Sequence, residues 1–462
     1  MKLNGRSALV LGAGKSGVSA VRFLNEKQCK VALYDGSSAE KPVYEELRAM
    51  GCELFLGEVP PLGEKTFDFA VISPGIPLTD PCAAALRENG IPIWGELELA
   101  SRFIEKPIIG ITGTNGKTTT TTLIGEILKN AGYRTFVGGN IGVPLLESLK
   151  EEYDYYVVEM SSFQLETIET MNAAISLFLN LTPDHLDRHG SMEGYLAAKG
   201  NLCTKQTKDH FTVLNYDDPL IRSLSKKAGG EVVCFSQKET VYYGSSLWND
   251  GMIVFRHPKG SENVMKASSI RLPGPHNLEN ALGAITVAEL LHIDPAVIEE
   301  TLRTFEGVEH RLEDVATIDG VRYVNDSKAT NPDSVFKALA SYGSAPIVLI
   351  AGGRNKGNTF DDLCEVIAEK CRALILIGEA AADMAASAAK VGMNGVIMAE
   401  DMEAAVKLAS SVAEKGDVVL LSPANASFDQ FNSYEHRGRV FKDIVLKLKK
   451  GELNGGHKEK TT

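Results

Sequence analysis

Short apolar runs followed by glycine-rich turns recur along the chain, and they predict parallel strands joined to helices. The first run, Ser7–Leu11, leads into the turn Gly12–Gly17 and then into a helical pattern through Leu24. A second run, Lys30–Tyr34, brings Asp35 to its carboxyl end. Unbroken apolar runs of this length are typical of strands that are buried on both faces of a sheet. The alternation predicts an α/β fold that begins with a Rossmann-like domain.

The next apolar run ends in a rigid loop, since Phe69–Ile72 is followed by Ser73-Pro74-Gly75-Ile76-Pro77. Open α/β sheets bind ligands at this carboxyl edge. The turn Gly12–Gly17 is typical of diphosphate binding, and Asp35 lies at roughly the offset at which an acidic residue meets a ribose hydroxyl. By themselves these features fit a nicotinamide enzyme. The first domain is predicted over residues 1–97.

A second glycine turn opens the middle of the chain and carries more specific chemistry. The apolar strand 107–111 runs into Gly113-Thr114-Asn115-Gly116-Lys117-Thr118-Thr119. In such a loop backbone N–H groups point at phosphates, the lysine reaches the terminal phosphates, the next hydroxyl binds Mg²⁺, and the following helix presents its positive end. We therefore predict an ATP or GTP site. Ile111 stands where the strict pattern has its first glycine, so the loop is a variant; the structural alternative is a glycine-rich turn before a Thr-rich helix.

The middle part continues as alternating strands and helices, which imply a mostly parallel sheet. Strands are predicted at Tyr155–Glu159 and in the apolar run Ala174–Leu181, which ends in Thr182-Pro183-Asp184-His185-Leu186-Asp187. Residues 229–272 change to short alternating segments, and we predict a small β-rich insertion there. Helical spacing returns over Pro275–Leu291. The central ATP-binding domain is predicted over residues 98–307.

The last part repeats the α/β pattern. Its predicted strands are Val321–Val324, Pro346–Ala351, Ala373–Ile377 and Asp417–Leu421. Ligand-facing loops are expected at Gly352–Gly357 and Ser422–Ser427, after two of these strands. We predict a Rossmann-like C-terminal domain over residues 308–450 and a disordered tail over 451–462, which is rich in glycine and lysine.

Composition narrows the class of protein. A length of 462 residues exceeds one ordinary core and agrees with three domains. A net charge of -12 disfavours a nucleic-acid binder, which needs a basic surface. Seven scattered cysteines without a Cys-x-x-Cys pair indicate reduced thiols. No apolar run approaches the ~18 residues of a membrane span. We expect a cytoplasmic monomer that neither binds nucleic acid nor inserts into a membrane.

Four polar segments make the pattern specific to a family. They are EMSSFQLE at 159–166, LTPDHLDRH at 181–189, NDSKATN at 325–331 and LSPANASFDQF at 421–431. Together with the loop Gly113–Lys117 they resemble the Mur ligase superfamily over nearly the whole chain, and within it the D-glutamate-adding MurD type. The resemblance implies an N-terminal UDP-binding domain, a central ATPase-like domain and a C-terminal Rossmann-like domain.

The resemblance also implies a reaction. Enzymes of this type join the carboxylate of UDP-MurNAc-L-Ala to the amine of D-glutamate while ATP is hydrolysed, a cytoplasmic step of peptidoglycan precursor synthesis. A carboxylate is a poor acyl donor, so ATP converts it to an acyl phosphate that the amine attacks. Because the carboxylate and the γ-phosphate repel each other, catalysis is expected to depend on positive charge placed between them and on in-line positioning. ATP and two Mg²⁺ ions are the implied cofactors.

Individual residues take their roles from the same resemblance. Thr118 and Glu159 would bind one Mg²⁺, and His185 with Lys199 the other, after CO₂ has converted Lys199 to a carbamate. By itself Lys199 also fits a solvated side chain, and Asp184–Asp187 fits a helix-capping turn or a structural histidine. Catalytic roles are implied for Lys117, His185, Lys199 and Lys328. ATP contacts are implied for Gly113, Thr114, Asn115, Gly116, Lys117, Thr118, Thr119, Asn277, Asn280, Arg311 and Asp326.

The other two substrates are assigned in the same way. UDP-sugar contacts are implied for Gly14, Lys15, Ser16, Gly17, Asp35, Ser73, Pro74, Gly75 and Asn140. D-Glutamate contacts are implied for His185, Thr330, Lys356, Ser427, Phe428 and Tyr434, because its two carboxylates need cations and directed donors. Tyr434 stands where related enzymes have phenylalanine. Locally, Asn277 and Asn280 also fit an N-cap and a polar helix face, and segment 325–331 fits a polar turn.

Three other functions stay open at this point. A nicotinamide oxidoreductase accounts for the first glycine turn but not for a second, lysine-bearing phosphate loop. A P-loop NTPase that acts as a switch or motor leaves segments 325–331 and 422–431 without a purpose. The nearest rival is a Mur-superfamily ligase for another amino acid, or a folylpolyglutamate synthase-like ligase, which is expected to lack the N-terminal UDP-binding domain.

Overall fold

The computed structural model describes residues 1–62, 67–355 and 357–453, and for Asp187 and Asp333 it describes the backbone alone. The chain separates into two compact units, Met1–Phe305 and Glu306–Thr462. Within the described residues the strands form sheets of five, nine and six strands. The predicted α/β fold is confirmed. The domain boundaries near residues 97, 307 and 450 stay predictions, and most of the predicted tail, from residue 454 onward, lies outside the described residues.

The first sheet is wholly parallel. Its strands are β1 (Ser7–Leu11), β2 (Lys30–Asp35), β3 (Glu53–Leu56), β4 (Phe69–Ile72) and β5 (Ile93–Gly95), with helices α1 (Lys15–Glu26), α2 (Val43–Ala49), α3 (Pro81–Glu88) and α4 (Glu96–Ser101). The strand order is β3-β2-β1-β4-β5. The order reverses at β1, so the loops after β1 and β4 flank the crevice in which such sheets bind ligands.

The central sheet follows along the chain. Its strands are β6 (Ile108–Thr112), β7 (Thr135–Gly139), β8 (Tyr155–Glu159), β9 (Ile175–Phe178), β10 (Phe211–Asn215), β11 (Glu231–Ser236), β12 (Gly244–Leu247), β13 (Met252–His257) and β14 (Gly260–Lys266). They are ordered β14-β13-β12-β11-β10-β9-β6-β8-β7, so β6 lies at the point where the order reverses. The accompanying helices are α5 (Lys117–Asn130), α6 (Ser162–Leu165), α7 (Leu186–His189), α8 (Met192–Thr204), α9 (Pro219–Ser223), α10 (Pro275–Leu290) and α11 (Pro295–Thr304).

The β-rich segment predicted at 229–272 is present, but it is not a separate insertion. Strands β11 to β14 continue the central sheet outward from β10, and antiparallel pairing begins between β12 and β13. Helix α10 packs on several of these strands. Only one side of this part of the sheet is covered by that helix, which explains its alternating polar and apolar sequence.

The second unit contains the third sheet. Its strands are β15 (Glu313–Ile318), β16 (Val321–Asn325), β17 (Ile347–Gly352), β18 (Cys371–Ile377), β19 (Val396–Met398) and β20 (Val418–Ala424), in the order β15-β16-β20-β17-β18-β19. Its helices are α12 (Pro332–Ala340), α13 (Asp361–Lys370), α14 (Ala381–Lys390), α15 (Met402–Val412) and α16 (Tyr434–Lys449). Only β15 runs antiparallel to its neighbour. The carboxyl ends of β16, β20 and β17 therefore meet at one edge.

Buried apolar clusters explain how the sheets are held. One cluster includes Val10 and Phe23 of the first sheet's layers and Phe178 of the central sheet, so both sheets belong to one compact unit. In the second unit Leu349 and Val348, neighbours in β17, belong to clusters on opposite faces of the sheet. Burial on both faces accounts for the unbroken apolar sequence of this strand. No helix among the described residues is both long and apolar enough to cross a bilayer.

Two glycines of the first turn differ in what a side chain would meet. A Cβ on Gly17 would lie 1.9 Å from the carbonyl oxygen of Gly12, whereas a Cβ on Gly14 would meet nothing within 4 Å. We expect Gly17→Ala to lower the free energy of unfolding by about 1–3 kcal/mol or more, as overpacking against a rigid neighbour does. Gly14→Ala is the control and should cost less, because it meets no crowding and loses only the preference of the N-cap position for glycine over alanine. Urea unfolding of both variants checks this, and equal effects would contradict it.

Candidate active site

The turn between β1 and α1 presents an open helix N-terminus at the carboxyl edge of the first sheet. Gly14 is the N-cap of α1, and no side chain caps the helix. Lys15 and Ser16 follow in the first helical turn, with Lys15 exposed. Ser73 Oγ donates to the Gly12 oxygen at 3.3 Å and joins the turn to the loop containing Pro74 and Gly75. Uncapped N–H groups at such a helix end suit a phosphate or diphosphate.

Asp35, at the end of β2, is already engaged within the protein. Its Oδ2 accepts from Lys41 Nζ at 2.6 Å and from the Ala13 N–H at 3.3 Å, and its Oδ1 accepts from the Ser37 N–H at 3.1 Å. Burial opposes ionisation, but the bonds from Lys41, Ser37 and other donors outweigh it and hold the pKa of Asp35 below its usual range. The carboxylate therefore ties the end of β2 to the glycine turn.

The loop between β6 and α5 has a backbone that depends on its glycines. Gly113 and Gly116 have φ values of 153° and 83°. A Cβ on Gly116 would approach Asn280 Oδ1 to 2.1 Å. Lys117, the first residue of α5, donates from Nζ to the oxygens of Gly113 and Thr114 at 2.9 and 2.8 Å. The ammonium group thus lies against the loop in which phosphates would bind, and Thr118 and Thr119 follow it, both buried.

Asn180, just after β9, clamps this loop. Its Oδ1 accepts from the Asn115 N–H at 2.9 Å, and its Nδ2 donates to the Asn115 oxygen at 3.2 Å. The same Nδ2 donates to Glu279 Oε1 at 2.7 Å. Thr114 Oγ1 in turn accepts from the N–H of Thr182 at 3.0 Å. The loop conformation is therefore set by the segment after β9 as well as by its own glycines.

Glu159, the last residue of β8, has the properties of a metal ligand. It is 2% exposed, and its Oε1 accepts from Asn140 Nδ2 at 2.8 Å. Its buried Oε2 has no hydrogen-bond partner among the described residues. An unpaired, buried carboxylate oxygen is costly unless a cation or donor joins it. The residue therefore fits a Mg²⁺ site, since hard cations take carboxylate oxygens.

Lys199 lies inside α8 and is 1% exposed, so its interpretation as a solvated side chain is wrong. Its Nζ donates to the Gly113 oxygen at 2.9 Å and to Thr112 Oγ1 at 3.4 Å, and it lies 4.6 Å from the centre of the Tyr195 ring. Burial, followed by repulsion from Lys117, holds the pKa of Lys199 far below its usual range. The two lysines approach the same loop from different helices.

His185 precedes α7 as its N-cap with φ 52°, a conformation uncommon outside glycine. Its ring centroid lies 4.7 Å from that of Phe163, and Nε2 lies 3.5 Å from Asp184 Oδ2. No described side chain caps α7, which argues against a capping turn. The half-exposed imidazole at the carboxyl edge of the central sheet remains able to bind a metal.

The two asparagines of α10 lie at its beginning. Gly274 is the N-cap, so the interpretation of Asn277 as an N-cap is wrong. Asn277 Nδ2 donates to the Pro273 oxygen at 2.8 Å, and Asn280 Nδ2 donates to Asn277 Oδ1 at 3.4 Å. Asn280 is buried against Gly116. Asn280 therefore stands beside the phosphate loop, and Asn277 is linked to that loop through Asn280.

In the second unit, a buried arginine cross-links the two loops that the sequence singled out. Arg437 of α16 is 1% exposed. Its Nε and Nη2 donate to Ser327 Oγ and the Ser327 oxygen at 3.0 and 2.9 Å, and Nη1 donates to the Asn425 oxygen at 3.1 Å. Burial lowers the pKa of Arg437 to about 10. The guanidinium thus fixes the turn at Ser327, within segment 325–331, against the loop after β20.

Asp326, directly after β16, is buried beside that cross-link. Its Oδ2 accepts from Ser422 Oγ at 2.7 Å, and its Oδ1 accepts from the Leu312 N–H at 3.2 Å. Burial raises the pKa of Asp326 to about 7, against the lowering effects of Ser422 and Arg311. Arg311 lies between His310 and Leu312, whose φ values are 66° and 44°. Two departures of this kind, separated by one residue, require strong tertiary constraint and are common at functional sites.

Of the remaining predicted residues of the second unit, Lys328 and Tyr434 lie together at the start of α16. Lys328 Nζ lies 5.9 Å from the centre of the Tyr434 ring, and the Tyr434 oxygen accepts from Ser327 Oγ at 2.8 Å. Thr330 is half-buried, Ser427 is buried and Phe428 is exposed. Lys356 lies outside the described residues.

A nearby acidic group is not a convincing metal site. Glu309, His310 and Glu313 bring ligand atoms close together, but Lys442 forms ion pairs with both carboxylates. The ammonium group supplies the positive charge that a metal ion would bring.

Family sequence profiles match three consecutive parts of the chain. Residues 6–95 match the Mur ligase MurD-like N-terminal domain, 111–288 the Mur ligase middle domain and 310–425 the Mur ligase glutamate ligase domain. A UDP-N-acetylmuramoylalanine--D-glutamate ligase of Pelotomaculum thermopropionicum is 49% identical, over 96% of this chain and 98% of its own. The chain belongs to the MurD family of Mur ligases. A MurD-family ligase of the same name from Clostridioides difficile is 42% identical over 97% of this chain and 100% of its own.

Solved structures of two other ligases share the fold. A UDP-N-acetylmuramate-alanine ligase of Thermotoga maritima is 19% identical, with a TM-score of 0.59 over 96% of this chain and 100% of its own. A pseudomurein peptide ligase of Methanothermus fervidus is 21% identical, with a TM-score of 0.58 over 96% of this chain and 100% of its own. At this identity the likeness concerns the architecture alone.

Sequence reasoning missed two organising residues of this MurD-family protein. Asn180 had a weak signal, as a polar residue at the end of an apolar strand, but its contact with Asn115 spans 65 positions. Arg437 had no local signal, since an arginine in an amphipathic helix normally faces solvent. Asn140 was expected to contact the UDP-sugar, and in the structure its side chain holds Glu159.

The buried Asp326 predicts a pH effect on the stability of this Mur ligase. Its pKa is raised from 3.8 to about 7, so between these values the folded state binds a proton that the unfolded state lacks. Stability from this group is complete below pH 4 and falls as the pH rises to about 7. Relative to the parent protein, Asp326→Asn should therefore gain stability from pH 5 to 8, by up to about 1.4 kcal/mol per pKa unit.

Denaturant unfolding at several pH values checks this effect. Asp361→Asn is the control, because hydrogen bonds from Ser387 and Lys390 lower the pKa of this exposed carboxyl. Its effect on stability should be constant between pH 5 and 8. Parallel stability curves for the parent protein and Asp326→Asn would contradict the prediction.

Proposed function

We propose that this chain joins D-glutamate to UDP-MurNAc-L-Ala with hydrolysis of ATP, through an acyl phosphate. One arrangement carries the proposal, a phosphate loop with Lys117 at its end and the buried side chains of Glu159 and Lys199 beside it. It occurs in a chain 49% identical to a relative named for this reaction. A nicotinamide enzyme or an NTPase switch does not account for matches to Mur ligase domains along the chain.

The chemistry begins with two anions that repel each other. N–H groups at the start of α5 and the ammonium of Lys117 would bind the β- and γ-phosphates of ATP. The carboxylate of UDP-MurNAc-L-Ala attacks the γ-phosphorus, its oxygen forms the new bond, and ADP leaves. The amine of D-glutamate then attacks the acyl carbon, phosphate leaves, and the nitrogen loses a proton. Lys328 would place positive charge near the developing intermediate.

Mg²⁺ would be held by Thr118 and Glu159 at one site and by His185 and modified Lys199 at a second. The unpaired Oε2 of Glu159 supports the first site. When bound, the ions would neutralise phosphate charge and polarise the phosphoryl oxygens. Asn140 would keep Glu159 in one orientation through its bond to Oε1.

Carbamylation of Lys199 would remove the charge repulsion between two lysines that approach one loop. An amine with a lowered pKa keeps its lone pair, attacks the carbon of CO₂ to form an N–C bond, and releases a proton. The product carries one negative charge, which can bind a cation, where a protonated Lys199 would be repelled by Lys117. Burial of Lys199 beside the Gly113 oxygen supports this step.

The other substrates would bind at the edges of the first and third sheets. Gly14, Lys15, Ser16, Gly17, Asp35, Ser73, Pro74, Gly75 and Asn140 are proposed for the UDP-sugar. Thr330, Lys356, Ser427, Phe428 and Tyr434, with His185, are proposed for D-glutamate. Gly113 to Thr119, Asn277, Asn280, Arg311 and Asp326 are proposed for ATP.

The organisation and setting of the enzyme complete the proposal. We propose UDP-sugar, ATP and amino-acid domains over residues 1–97, 98–307 and 308–450. The protein would act as a monomer in the cytoplasm, within peptidoglycan precursor synthesis, without contact to nucleic acid.

The reaction itself is tested by phosphate release. Purified protein with ATP, Mg²⁺ and UDP-MurNAc-L-Ala should release phosphate when D-glutamate is added, and mass spectrometry should detect the amide product. L-Glutamate, L-alanine and D-alanine serve as matched alternatives and should give little release. Release with another amino acid would support the rival Mur ligase. No amino-acid-dependent release would contradict the proposal.

Lys199→Ala tests the carbamate. The variant should fold and lose about 10²- to 10³-fold in kcat, as when one preorganised polar group is removed. Added formate or acetate should restore part of the activity by occupying the vacant ligand position. Lys205→Ala, at an exposed lysine just beyond the same helix, is the control and should stay fully active. A fully active Lys199→Ala enzyme would contradict the role of this residue.

A further inference from the structure

Arg188 of α7 forms an ion pair with Glu166 and also contacts the loop that follows β4 in the first sheet. Arg188, in α7, donates from Nη2 to Glu166 Oε2 at 2.6 Å. The same nitrogen donates to the Ile76 oxygen at 3.3 Å, and Nη1 donates to the Pro74 oxygen at 3.5 Å. The Arg188 and Glu166 side chains are 15% and 17% exposed, so solvent screens the pair only in part. Arg188 thus connects α7 to the loop proposed to border the uridine.

Glu166 connects the same arginine to a buried histidine. Its Oε1 lies 3.3 Å from His189 Nδ1, and His189 Nε2 lies 2.9 Å from Ser162 Oγ. The His189 ring stacks on Tyr195 at 5.2 Å between centroids. Lys199 Nζ also lies over the ring of Tyr195. A continuous set of contacts therefore runs from the loop after β4 to the lysine beside the phosphate loop.

The position of His185 depends on the same contacts. Helix α7 has four residues and, among the described side chains, no cap, so its own hydrogen bonds cannot hold it in place. Arg188 and His189 fix its C-terminal end, and His185 begins it with φ 52°. The guanidinium of Arg188 also lies 4.7 Å from the centre of the Phe163 ring, which packs against His185.

We propose that Arg188 is a positioning residue that couples seating of the UDP-linked substrate to the placement of His185 at the metal site. When the loop 73–77 closes on the substrate, its carbonyls orient Arg188, and α7 then holds His185 in the position from which it would bind the metal ion. The proposal rests on the proposed function. It concerns a residue that touches neither substrate nor metal in the arrangement described above.

Arg188→Lys is the informative variant, because lysine keeps the charge but cannot serve three acceptors in a fixed plane. Arg102→Lys is the matched control. Arg102 is 20% exposed, pairs with Glu98 and Glu169 at 2.8 Å, and lies 4.1 Å from the Trp94 ring, away from the proposed site. Each variant loses a comparable set of ion-pair and ring contacts. A purely structural role for Arg188 therefore predicts similar kinetics and metal binding for the two variants.

The first readout is kinetic. Arg188→Lys should raise the KM for UDP-MurNAc-L-Ala and lower kcat, each by about tenfold, and leave the KM for ATP within about twofold. Arg102→Lys should leave kcat and both KM values unchanged. A parent enzyme that fails to release phosphate would contradict the proposed function itself. An active parent enzyme with indistinguishable Arg188→Lys and Arg102→Lys variants would overturn this inference alone.

The second readout is binding linkage, which a structural role would not change. In the parent enzyme UDP-MurNAc-L-Ala should tighten Mn²⁺ binding, measured by electron paramagnetic resonance, and Mn²⁺ should tighten substrate binding by the same factor, about 5-fold or more. In Arg188→Lys that factor should approach one. If Arg188→Lys does not fold, Glu166→Gln provides the test. This substitution keeps the shape of the side chain and leaves the loop carbonyls available to Arg188, but it removes the negative charge. Retained linkage in whichever variant folds would overturn the proposal.

Discussion

The structure depends on holding cationic groups against main-chain oxygens at the edge of a sheet. A protein with a net charge of -12 has no general attraction for a triphosphate and two carboxylates. The necessary positive charge is instead local. Lys117 and Lys199 both donate to the Gly113 oxygen, so the loop that would receive phosphates also fixes the ammonium group of Lys117 and the buried nitrogen of Lys199. The conformation of this loop therefore also determines where the lysine nitrogens lie.

Polar side chains hold such loops in place at more than one sheet edge. Asn180 clamps Asn115 in the central sheet, and Arg437 joins the loops that follow β16 and β20. Each replaces backbone hydrogen bonds that a regular strand or helix would supply, because the backbone must leave regular structure to present N–H groups to a ligand. Such groups are costly to bury unless every partner is present, which makes the loop conformations specific.

Backbone strain is found at these same edges. His185, His310, Leu312 and Ala424 all have positive φ values without being glycine. Each lies next to a residue or loop that is proposed to bind substrate or metal. Conformations of this kind persist only where surrounding contacts over-determine them. The contacts of α7 and of α16 provide that constraint in the first and second units.

Local chemistry in the sequence determined much of this protein. Unbroken apolar runs between glycine turns indicated parallel strands, and the loop Gly113–Lys117 indicated a phosphate site, because strand burial and phosphate binding both require particular residues at short spacing. The segments at 159–166 and 181–189 led to the Mur ligases, which the comparisons confirmed. The β-rich segment was found from its alternation, but its place as a continuation of the central sheet depended on pairing with β10.

Tertiary structure alone decided how the predicted residues are supported. Nothing around Lys199 in the sequence marks it as buried, since its helix shows no clear apolar face, and only packing against Thr112 and Gly113 removes it from water. Likewise the raised pKa of Asp326 and the clamps formed by Asn180 and Arg437 arise from residues distant along the chain. The sequence by itself determined which elements form and which chemical groups stand at their ends. The burial and long-range hydrogen bonds that set the charge and orientation of those groups exist only once the sheets are assembled, because desolvation and directed contacts depend on neighbours in space.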